Sequence, residues 1–203
     1  MKNPQYVHAR HRGTVAYANT NYILLGMIIE KLTGHSLASE LKKRIFTPLG
    51  MRDTYLPVKG SEGIKGPHGH GYTVNEKGAV VDVDKMNATA QLGAGGVIST
   101  AHDMSAFKRA FTQNKLVPAS LTTVITTIPG VPPITGGGPC KGNPEFGPRN
   151  DDGAPGYVST TFASSDGRIQ FAVSMTLAMN DDERLGAGRP LGDALTSVFC
   201  PAA

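Results

Sequence analysis

The stretch YANTNYILLGMIIEKLTGHSLASELKKRIFTPLGMRDTYLP, residues 17–57, decides the predicted architecture of the N-terminal region. Its apolar residues recur at the three- and four-residue spacing of an amphipathic helix: Ile23, Leu24, Met27, Ile28 and Leu32. Asn19 or Thr20 is predicted to cap this helix and Gly34 to end it. Ser36 is predicted to cap a second helix, whose apolar face comprises Leu37, Leu41 and Ile45.

Four short strands are predicted further along the chain. Two of them, at 71–75 and 79–83, flank a Glu76-Lys77-Gly78 turn. The other two, at 156–164 and 168–178, flank Asp166-Gly167, a strong hairpin signal. Each pair is expected to be antiparallel, because so short a connection cannot form a parallel crossover.

Helices and loops are predicted between and after these strands. The small-residue run 93–98 leads into a helix that Ser99 or Thr100 caps, with an apolar stripe of Met104, Phe107 and Phe111. A shorter helix is predicted at 118–127 and a final helix at 182–199, and the Gly- and Pro-rich residues 129–155 are predicted to form a long surface loop. The order favours an α+β fold, in which helices flank an antiparallel sheet.

Composition indicates a globular protein and excludes several functional classes. The 203 residues carry a formal net charge of +4, and the basic residues are scattered except at Lys42-Lys43-Arg44, interpreted as a solvated helix face. No basic stripe or nucleic-acid motif accompanies this charge, so no nucleic-acid partner is expected. The sequence contains no uninterrupted apolar stretch of about 18 residues, so no membrane span is predicted. The opening MKNPQYVHARHRG lacks the apolar core of a signal peptide.

The two cysteines, Cys140 and Cys200, leave two interpretations open. Both could be free thiols. Alternatively, a bridge between the Gly- and Pro-rich loop and the C-terminus would tie down a tail that otherwise frays, and would indicate an oxidising compartment.

Tyr17-Ala18-Asn19 is the first candidate for chemistry. A tyrosine can act as a general base if nearby positive charge lowers its pKa, and an adjacent asparagine can bind a substrate amide. Taken alone this three-residue motif is weak, and a packed tyrosine beside a helix cap explains it equally well.

The wider sequence resembles the D-alanyl-D-alanine carboxypeptidase and class C β-lactamase family of serine hydrolases. The resemblance is carried by residues 17–57, and by HGHGYT, GAGGVIST and PGYVSTTFASSDGR in the same order downstream. It implies a sheet to which both ends of the family domain contribute strands. It also implies that Tyr17 is the acid/base residue, that Asn19 binds the substrate amide, and that Cys140 and Cys200 form a disulfide of a secreted protein.

Two motifs depart from the family pattern. The nucleophilic serine of the family lies in an S-x-x-K motif far upstream of Y-x-N, where this chain has only 16 residues. Two S-x-x-K strings, Ser39–Lys42 and Ser105–Lys108, follow Tyr17 and are interpreted as chance matches within amphipathic helices.

The strand motif that binds the substrate carboxylate, K-T-G or H-T-G in the family, is also altered. This chain has Pro148-Arg149-Asn150-Asp151-Asp152-Gly153 at that position. Two aspartates would repel a substrate carboxylate. Arg149 could compensate if the loop presents it, and Gly153 could offer its N–H group to an oxyanion.

A metal site is the alternative use of nearby residues. His68-Gly69-His70 is a possible ligand pair, to which Asp151 and Asp152 could add carboxylates. The resemblance places HGHGY in an ordinary loop that leads into a strand, so no metal and no cofactor is predicted.

The sequence therefore predicts one partial β-lactamase/transpeptidase-like domain over 1–203, with a mainly helical region at 17–128 and a loop, hairpin and helix at 129–203. Its expected activity is acyl-enzyme hydrolysis of D-alanyl-D-alanine peptides or β-lactams, incomplete or inactive in this chain alone. Its expected partners are such a substrate and a missing N-terminal half of the same protein. Its expected location is extracytoplasmic. The alternatives are a non-catalytic peptidoglycan- or protein-binding module and an esterase on the same scaffold.

Overall fold

The structure, a computed structural model, describes residues 18–60, 63–75, 77–84, 93–126, 150–176 and Ser197. Its elements comprise four α-helices, one π-helical turn and five strands within those residues. They run in the order α1 (Asn19–Thr33), α2 (Leu37–Leu41), the π-helical turn (Lys42–Phe46), β1 (Tyr72–Val74), β2 (Val80–Asp82), α3 (Ala101–Thr112), α4 (Ala119–Thr126), β3 (Asn150–Ala154), β4 (Tyr157–Ala163) and β5 (Gln170–Thr176). The predicted α+β class is confirmed.

Helix α1 begins one residue earlier than predicted. Ala18 occupies the cap position in an extended conformation and has no side-chain acceptor. The prediction of Asn19 or Thr20 as the cap is therefore wrong, because both already lie in the first helical turn. At the other end Gly34 has a φ of 71° and donates its N–H group to the carbonyl of Glu30, so the predicted C-terminus is confirmed.

Two side chains fix the short helix α2 beside α1. The Ser36 hydroxyl accepts a hydrogen bond from the Ser39 N–H group, which confirms the predicted cap. The Glu30 carboxylate accepts the Leu37 N–H group at 2.8 Å. Leu37 and Phe46 are buried, whereas Lys42, Lys43 and Arg44 are exposed, as expected for a solvated face.

Helix α3 is tied to the loop that follows the π-helical turn. The Thr100 hydroxyl caps α3 by accepting the Asp103 N–H group. The Asp103 carboxylate is 2 % exposed, and it accepts hydrogen bonds from the Asp53 N–H group at 2.9 Å and the Thr54 hydroxyl at 2.7 Å. Because a buried carboxylate must be hydrogen-bonded, Asp103 fixes the position of this loop.

The described strands form two antiparallel sheets. β1 pairs with β2, with Tyr72 opposite Asp82, and β3, β4 and β5 form a sheet in that order. Gly167 has a φ of 66° in the turn between β4 and β5, so the predicted hairpin is confirmed. The predicted helix at 182–199 lies outside the described residues apart from Ser197.

The third strand of this sheet corrects one sequence prediction. Residues 129–155 were expected to form a loop throughout, but Asn150–Ala154 pairs with β4 along its whole length. The sequence NDDGA has low strand propensity. Long-range pairing overrides that propensity, because each strand of a sheet needs partners for its backbone groups. β3 thus adds a third strand to the predicted pair of strands β4 and β5.

The core lies where α3 covers β4 and β5. Phe162 is fully buried and stacks on Phe171 with ring centroids 5.0 Å apart. At the edge of this layer the Arg109 guanidinium donates to the Gln170 side-chain oxygen. Among the described helices, none combines the length and the apolar character needed to cross a bilayer.

Candidate active site

Asn19 is the first residue of α1 and is half-buried. Tyr17, the predicted acid/base residue, lies outside the described residues. The small-residue run that begins at Gly93 packs against the same turn of α1. A side chain at Gly93 would collide with the backbone of Tyr22 and Ile23, so only glycine allows this close approach.

Gly26 shows the same close packing one turn further along α1. It is the buried residue of this helix, and a Cβ atom there would lie 3.0 Å from the Leu37 side chain and 3.8 Å from Gly93. Leu37 of α2 and Gly93 therefore both pack against α1 at this turn. The end of α1 that bears Asn19 is fixed in position by packing, as a binding site requires.

Strand β3 contains Asn150–Gly153, the position at which the resemblance predicts the carboxylate-binding motif of the family. Asp151 lies opposite Thr160, Asp152 opposite Ser159, and Gly153 opposite Val158. Arg149, the cation that could compensate the two aspartates, lies outside the described residues. Within the described sheet β3 is an edge strand, a position at which a peptide substrate can bind by main-chain hydrogen bonds.

The turn after β3 is packed tightly against the β1–β2 hairpin. A Cβ atom at Gly156 would lie 2.7 Å from backbone atoms of Gly71 and Tyr72, and one at Gly71 would lie 2.5 Å from the Gly156 carbonyl oxygen. The Tyr157 hydroxyl donates to the Gly69 carbonyl at 3.0 Å. Burial raises the pKa of Tyr157 above its ordinary value of about 10, so this hydroxyl remains a donor at alkaline pH as well.

The first S-x-x-K string lies on the surface between α2 and the π-helical turn. Ser39 and Lys42 are exposed and border a cavity of about 260 Å³. The remaining lining residues are mostly apolar: Ala38, Phe46, Thr54, Tyr55 and Leu56. The Ser39 N–H group is part of the helix cap. These features fit the ordinary helix-face role that the sequence indicated.

The second S-x-x-K string lies in α3. Ser105 is half-buried, whereas Lys108 is 9 % exposed. Burial lowers the pKa of the Lys108 amine. A lysine with a lowered pKa is one element of a serine–lysine pair. Ser105 and Lys108 are not among the residues that line the cavity beside Ser39.

His68 and His70 come close to two carboxylates that the sequence did not indicate, whereas the side chains of Asp151 and Asp152 lie outside the described part of the structure. Their neighbours are Asp82 and Asp84 at the end of β2. The register of the hairpin could have revealed this, because Tyr72 opposite Asp82 places His70 opposite Asp84 when the pairing is continued by two residues. Cys140 and Cys200 both lie outside the described residues.

Known relatives agree with this architecture. The chain is 32% identical over 110 residues to a penicillin-binding protein of Bacillus subtilis (strain 168), which covers 50% of this chain and 24% of that protein. It is 30% identical over 103 residues to an unguisins hydrolase of Aspergillus violaceofuscus (strain CBS 115571), which covers 49% of this chain and 18% of that protein. The chain thus spans about a quarter of the first relative and less of the second.

Solved structures extend the likeness over nearly the whole chain. A D-stereospecific amidohydrolase from Streptomyces sp. superimposes with a TM-score of 0.70 and 26% identity, over 94% of this chain and 56% of that one. The family model described as Beta-lactamase matches residues 3–190. Asn19, the 93–96 run and β3 all fall within that match. The chain therefore belongs to the Beta-lactamase family, a family of serine hydrolases that includes penicillin-binding proteins and amidases.

Proposed function

We propose that the protein contributes the acid/base and amide-binding part of a serine hydrolase that acts on D-alanyl-D-alanine peptides or β-lactams through an acyl-enzyme. The observation that carries this proposal is the position of Asn19. It lies on the first turn of α1, where Gly93 closely approaches the backbone of Tyr22, within a chain that matches the family over 3–190.

The proposed roles follow the chemistry of acyl transfer. A serine hydroxyl attacks the substrate carbonyl, and Tyr17, deprotonated in the resting site by neighbouring positive charge, accepts its proton. Tyr17 then passes that proton to the leaving amine as the acyl–serine ester forms. Water hydrolyses the ester and restores the serine. Asn19 holds the amide of the substrate, so that its carbonyl is presented to the serine.

A second candidate, an amidase that acts on uncharged D-amino acid amides, is favoured by β3. Asp151 and Asp152 are consecutive residues of this strand, so one of them is on each face of the sheet. An aspartate on the face that meets the substrate repels the free carboxylate of a D-alanyl-D-alanine peptide, but not a neutral amide. The likeness to the Streptomyces D-stereospecific amidohydrolase supports the same substrate class. The third possibility from sequence, a non-catalytic binding module, predicts binding without turnover.

The first experiment uses a fluorescent penicillin on the 203-residue chain. Ser39 and Ser105 are expected to remain unlabelled, since neither is assigned as the nucleophile. Peptide mapping of any adduct identifies the residue that carries the label. A stoichiometric adduct on either serine would overturn the assignment of the nucleophile to a motif outside this chain.

The second experiment measures hydrolysis by the protein translated from the reading frame extended upstream of Met1. Its substrates are D-alanyl-D-alanine peptide, D-alanine amide and their L-isomers. Tyr17→Phe is expected to lower kcat roughly 10²- to 10⁴-fold with little change in KM, because it removes the proton carrier. Asn19→Ala is expected mainly to raise KM. The exposed Asn21 on the same turn provides the control Asn21→Ala, with both constants unchanged.

The outcomes separate the candidates. Preference for the dipeptide supports the carboxypeptidase, and preference for the amide supports the amidase. For the amidase, Asp151→Asn with Asp152→Asn is expected to shift the preference towards the carboxylate-bearing peptide. Stoichiometric binding of the peptide without turnover would identify the non-catalytic module. Full activity of Tyr17→Phe would contradict both enzymatic proposals.

The extracytoplasmic location and the Cys140–Cys200 disulfide are proposals of the same kind. They are supported by the family resemblance, and by the ability of a bridge to anchor the C-terminus. Mass analysis of the protein exported to an oxidising compartment tests the bridge. We expect a mass that is lower by two hydrogens, and a disulfide-linked pair of peptides that contains Cys140 and Cys200. Alkylation of both thiols without prior reduction would contradict it.

A further inference from the structure

Three potential metal ligands converge at the base of the β1–β2 hairpin. His68 and His70 precede β1, and Asp84 follows β2, so the antiparallel pairing brings the two ends together. One ring nitrogen of each histidine and a carboxylate oxygen of Asp84 all lie within 4.8 Å of one another. The two imidazole rings lie side by side, with centroids 5.1 Å apart.

Each of these three side chains is oriented by a second hydrogen-bonding partner. The Nδ1 atom of His68 lies 2.6 Å from the Gly66 carbonyl oxygen, and that of His70 lies 2.7 Å from a carboxylate oxygen of Asp82. The Asp84 carboxylate accepts the Ile64 N–H group at 2.7 Å. Histidines that bind metals are held in this way, with the second nitrogen donating to a carbonyl or carboxylate.

These outer contacts determine where the imidazole protons lie. Because Nδ1 of each histidine faces an acceptor, each neutral ring carries its proton on Nδ1 and its lone pair on Nε2. The Nε2 lone pair is the form in which histidine binds a transition metal. Both rings are therefore prepared as ligands by the fold.

His68 provides the observation that points to a ligand. Its Nε2 atom is shielded from solvent and has no hydrogen-bond partner, although a carboxylate oxygen of Asp84 lies only 3.1 Å away. Two acceptors at this distance repel each other. A hydrogen bond would require an N–H group directed along the line between the atoms. A metal ion instead lies off that line, and two donors each about 2.1 Å from a tetrahedral ion are about 3.4 Å apart.

We infer that His68, His70 and Asp84 form a binding site for a divalent transition-metal ion of the zinc type. Two imidazoles and one carboxylate are the donor set that favours such ions over calcium and magnesium, which prefer oxygen ligands. His70 is half exposed, so its side chain can adjust, and a water molecule can complete the tetrahedron from that side.

The position of the site indicates a structural role. Gly69, between the two histidines, accepts the hydrogen bond from Tyr157, and Gly71 contacts the Gly156 turn. An ion bound at the base of the hairpin would therefore stiffen the segment on which the turn after β3 rests. The inference does not depend on the proposed hydrolase activity, because it concerns ligand geometry alone.

The test measures Zn²⁺ binding to the 203-residue chain by equilibrium dialysis, and the melting temperature with and without Zn²⁺. About one equivalent is expected to bind and to raise the melting temperature. His68→Gln, His70→Asn and Asp84→Asn each remove a ligand, and each is expected to weaken binding more than 100-fold. Asp82→Asn removes only an orienting partner and is expected to weaken it roughly 10- to 100-fold.

The matched control is His35→Gln, which removes an exposed histidine that also contacts a carboxylate, that of Glu40. Zn²⁺ affinity is expected to be unchanged in this variant. The melting temperature without Zn²⁺ separates loss of binding from loss of fold, and the half-exposed His70 is the least disruptive position to alter. Absence of Zn²⁺ binding by the unaltered chain would overturn the inference. Equal binding by the double variant of His68→Gln with His70→Asn would also overturn it.

Discussion

Helix α1 and strand β4 are both rich in apolar residues, but only one of them builds a core. In β4 Phe162 is fully buried and Ala163 is 1% exposed. In α1 Gly26 is the buried residue, whereas Leu25 is 55% and Leu32 81% exposed. Apolar composition therefore does not by itself create stability. β4 is stabilising because α3 and β5 cover it, whereas the large apolar side chains of α1 remain exposed to solvent.

The largest expected effect breaks the core side of this comparison. Phe162→Ala removes a fully buried ring that stacks on Phe171, and is expected to lower the free energy of unfolding by about 3–5 kcal/mol. Urea unfolding measures the loss. Ile169→Ala, at an exposed position in the same hairpin, is the control and should cost much less. Similar losses at both positions would contradict the assignment of the core.

A smaller effect is expected where the sheet meets the β1–β2 hairpin. Gly156 has a φ of 74° and its Cα approaches the backbone of Gly71 and Tyr72. Gly156→Ala combines left-handed strain with steric overlap and is expected to destabilise by roughly 2–5 kcal/mol. Gly50→Ala has the same strain at a φ of 68° but open space around it, so it should cost only about 1–2 kcal/mol. Equal losses would show that the hairpin is not packed on this turn.

Local signals made much of the fold predictable. Gly34 ends α1, Ser36 caps α2, and Asp166-Gly167 turns the chain between β4 and β5, because each acts on backbone groups within a few residues. The start of α1, by contrast, lies one residue before the predicted position. Neither Ala18 nor Asn19 supplies a capping hydrogen bond that would mark the boundary.

Features that depend on distant residues were not predictable in the same way. The sequence of β3 favours a loop, and only pairing with β4 makes it a strand. The predicted hairpin places Asp84 near the two histidines, but its specific contact with His68 depends on the loop that precedes β1. At the candidate active site, residue types and order indicated Asn19. The close approach of Gly93 to Tyr22 on the same turn joins segments some seventy residues apart, and such packing leaves little local trace in the sequence.

A pH-dependent effect tests the helical side of the comparison. Hydrogen bonding from Arg44 lowers the pKa of Glu40 below its ordinary value of 4.5, and His35 acts in the same direction. The folded-state pKa is below the unfolded one, so the ionised carboxylate stabilises the fold above pH 4.5 and this contribution is lost as the pH falls through the folded-state pKa. Glu40→Gln should therefore be less stable at pH 7, with a difference that narrows in acid.

The matched variant is Arg44→Gln, which removes the main cause of this shift while leaving the carboxylate in place. The difference in stability between Arg44→Gln and the unaltered chain is expected to decrease as the pH falls over the same acid range. Thermal melts at pH 3, 5 and 7 measure both variants. A difference of constant size at all three values would show that Glu40 contributes by packing and not by charge.

The smallest expected effect on stability concerns the exposed face of α1. Leu32→Gln replaces a side chain that is 81% exposed, and is expected to change the free energy of unfolding by no more than about 0.5 kcal/mol. Its effect should appear in self-association, which size-exclusion chromatography at increasing concentration measures. A loss above about 2 kcal/mol would show that this face is packed in solution, and the contrast with β4 would fail.

The Asp103 carboxylate has a consequence for the order in which the chain folds. It joins the start of α3 to Asp53 and Thr54, about fifty positions earlier in the chain. Closing a loop of that length costs about 3.5 kcal/mol of chain entropy before the two hydrogen bonds can form. Helices α2 and α3 can each form from nearby residues at no such cost. The segment between them is therefore expected to adopt its native structure late in folding, after α2 and α3 have packed together.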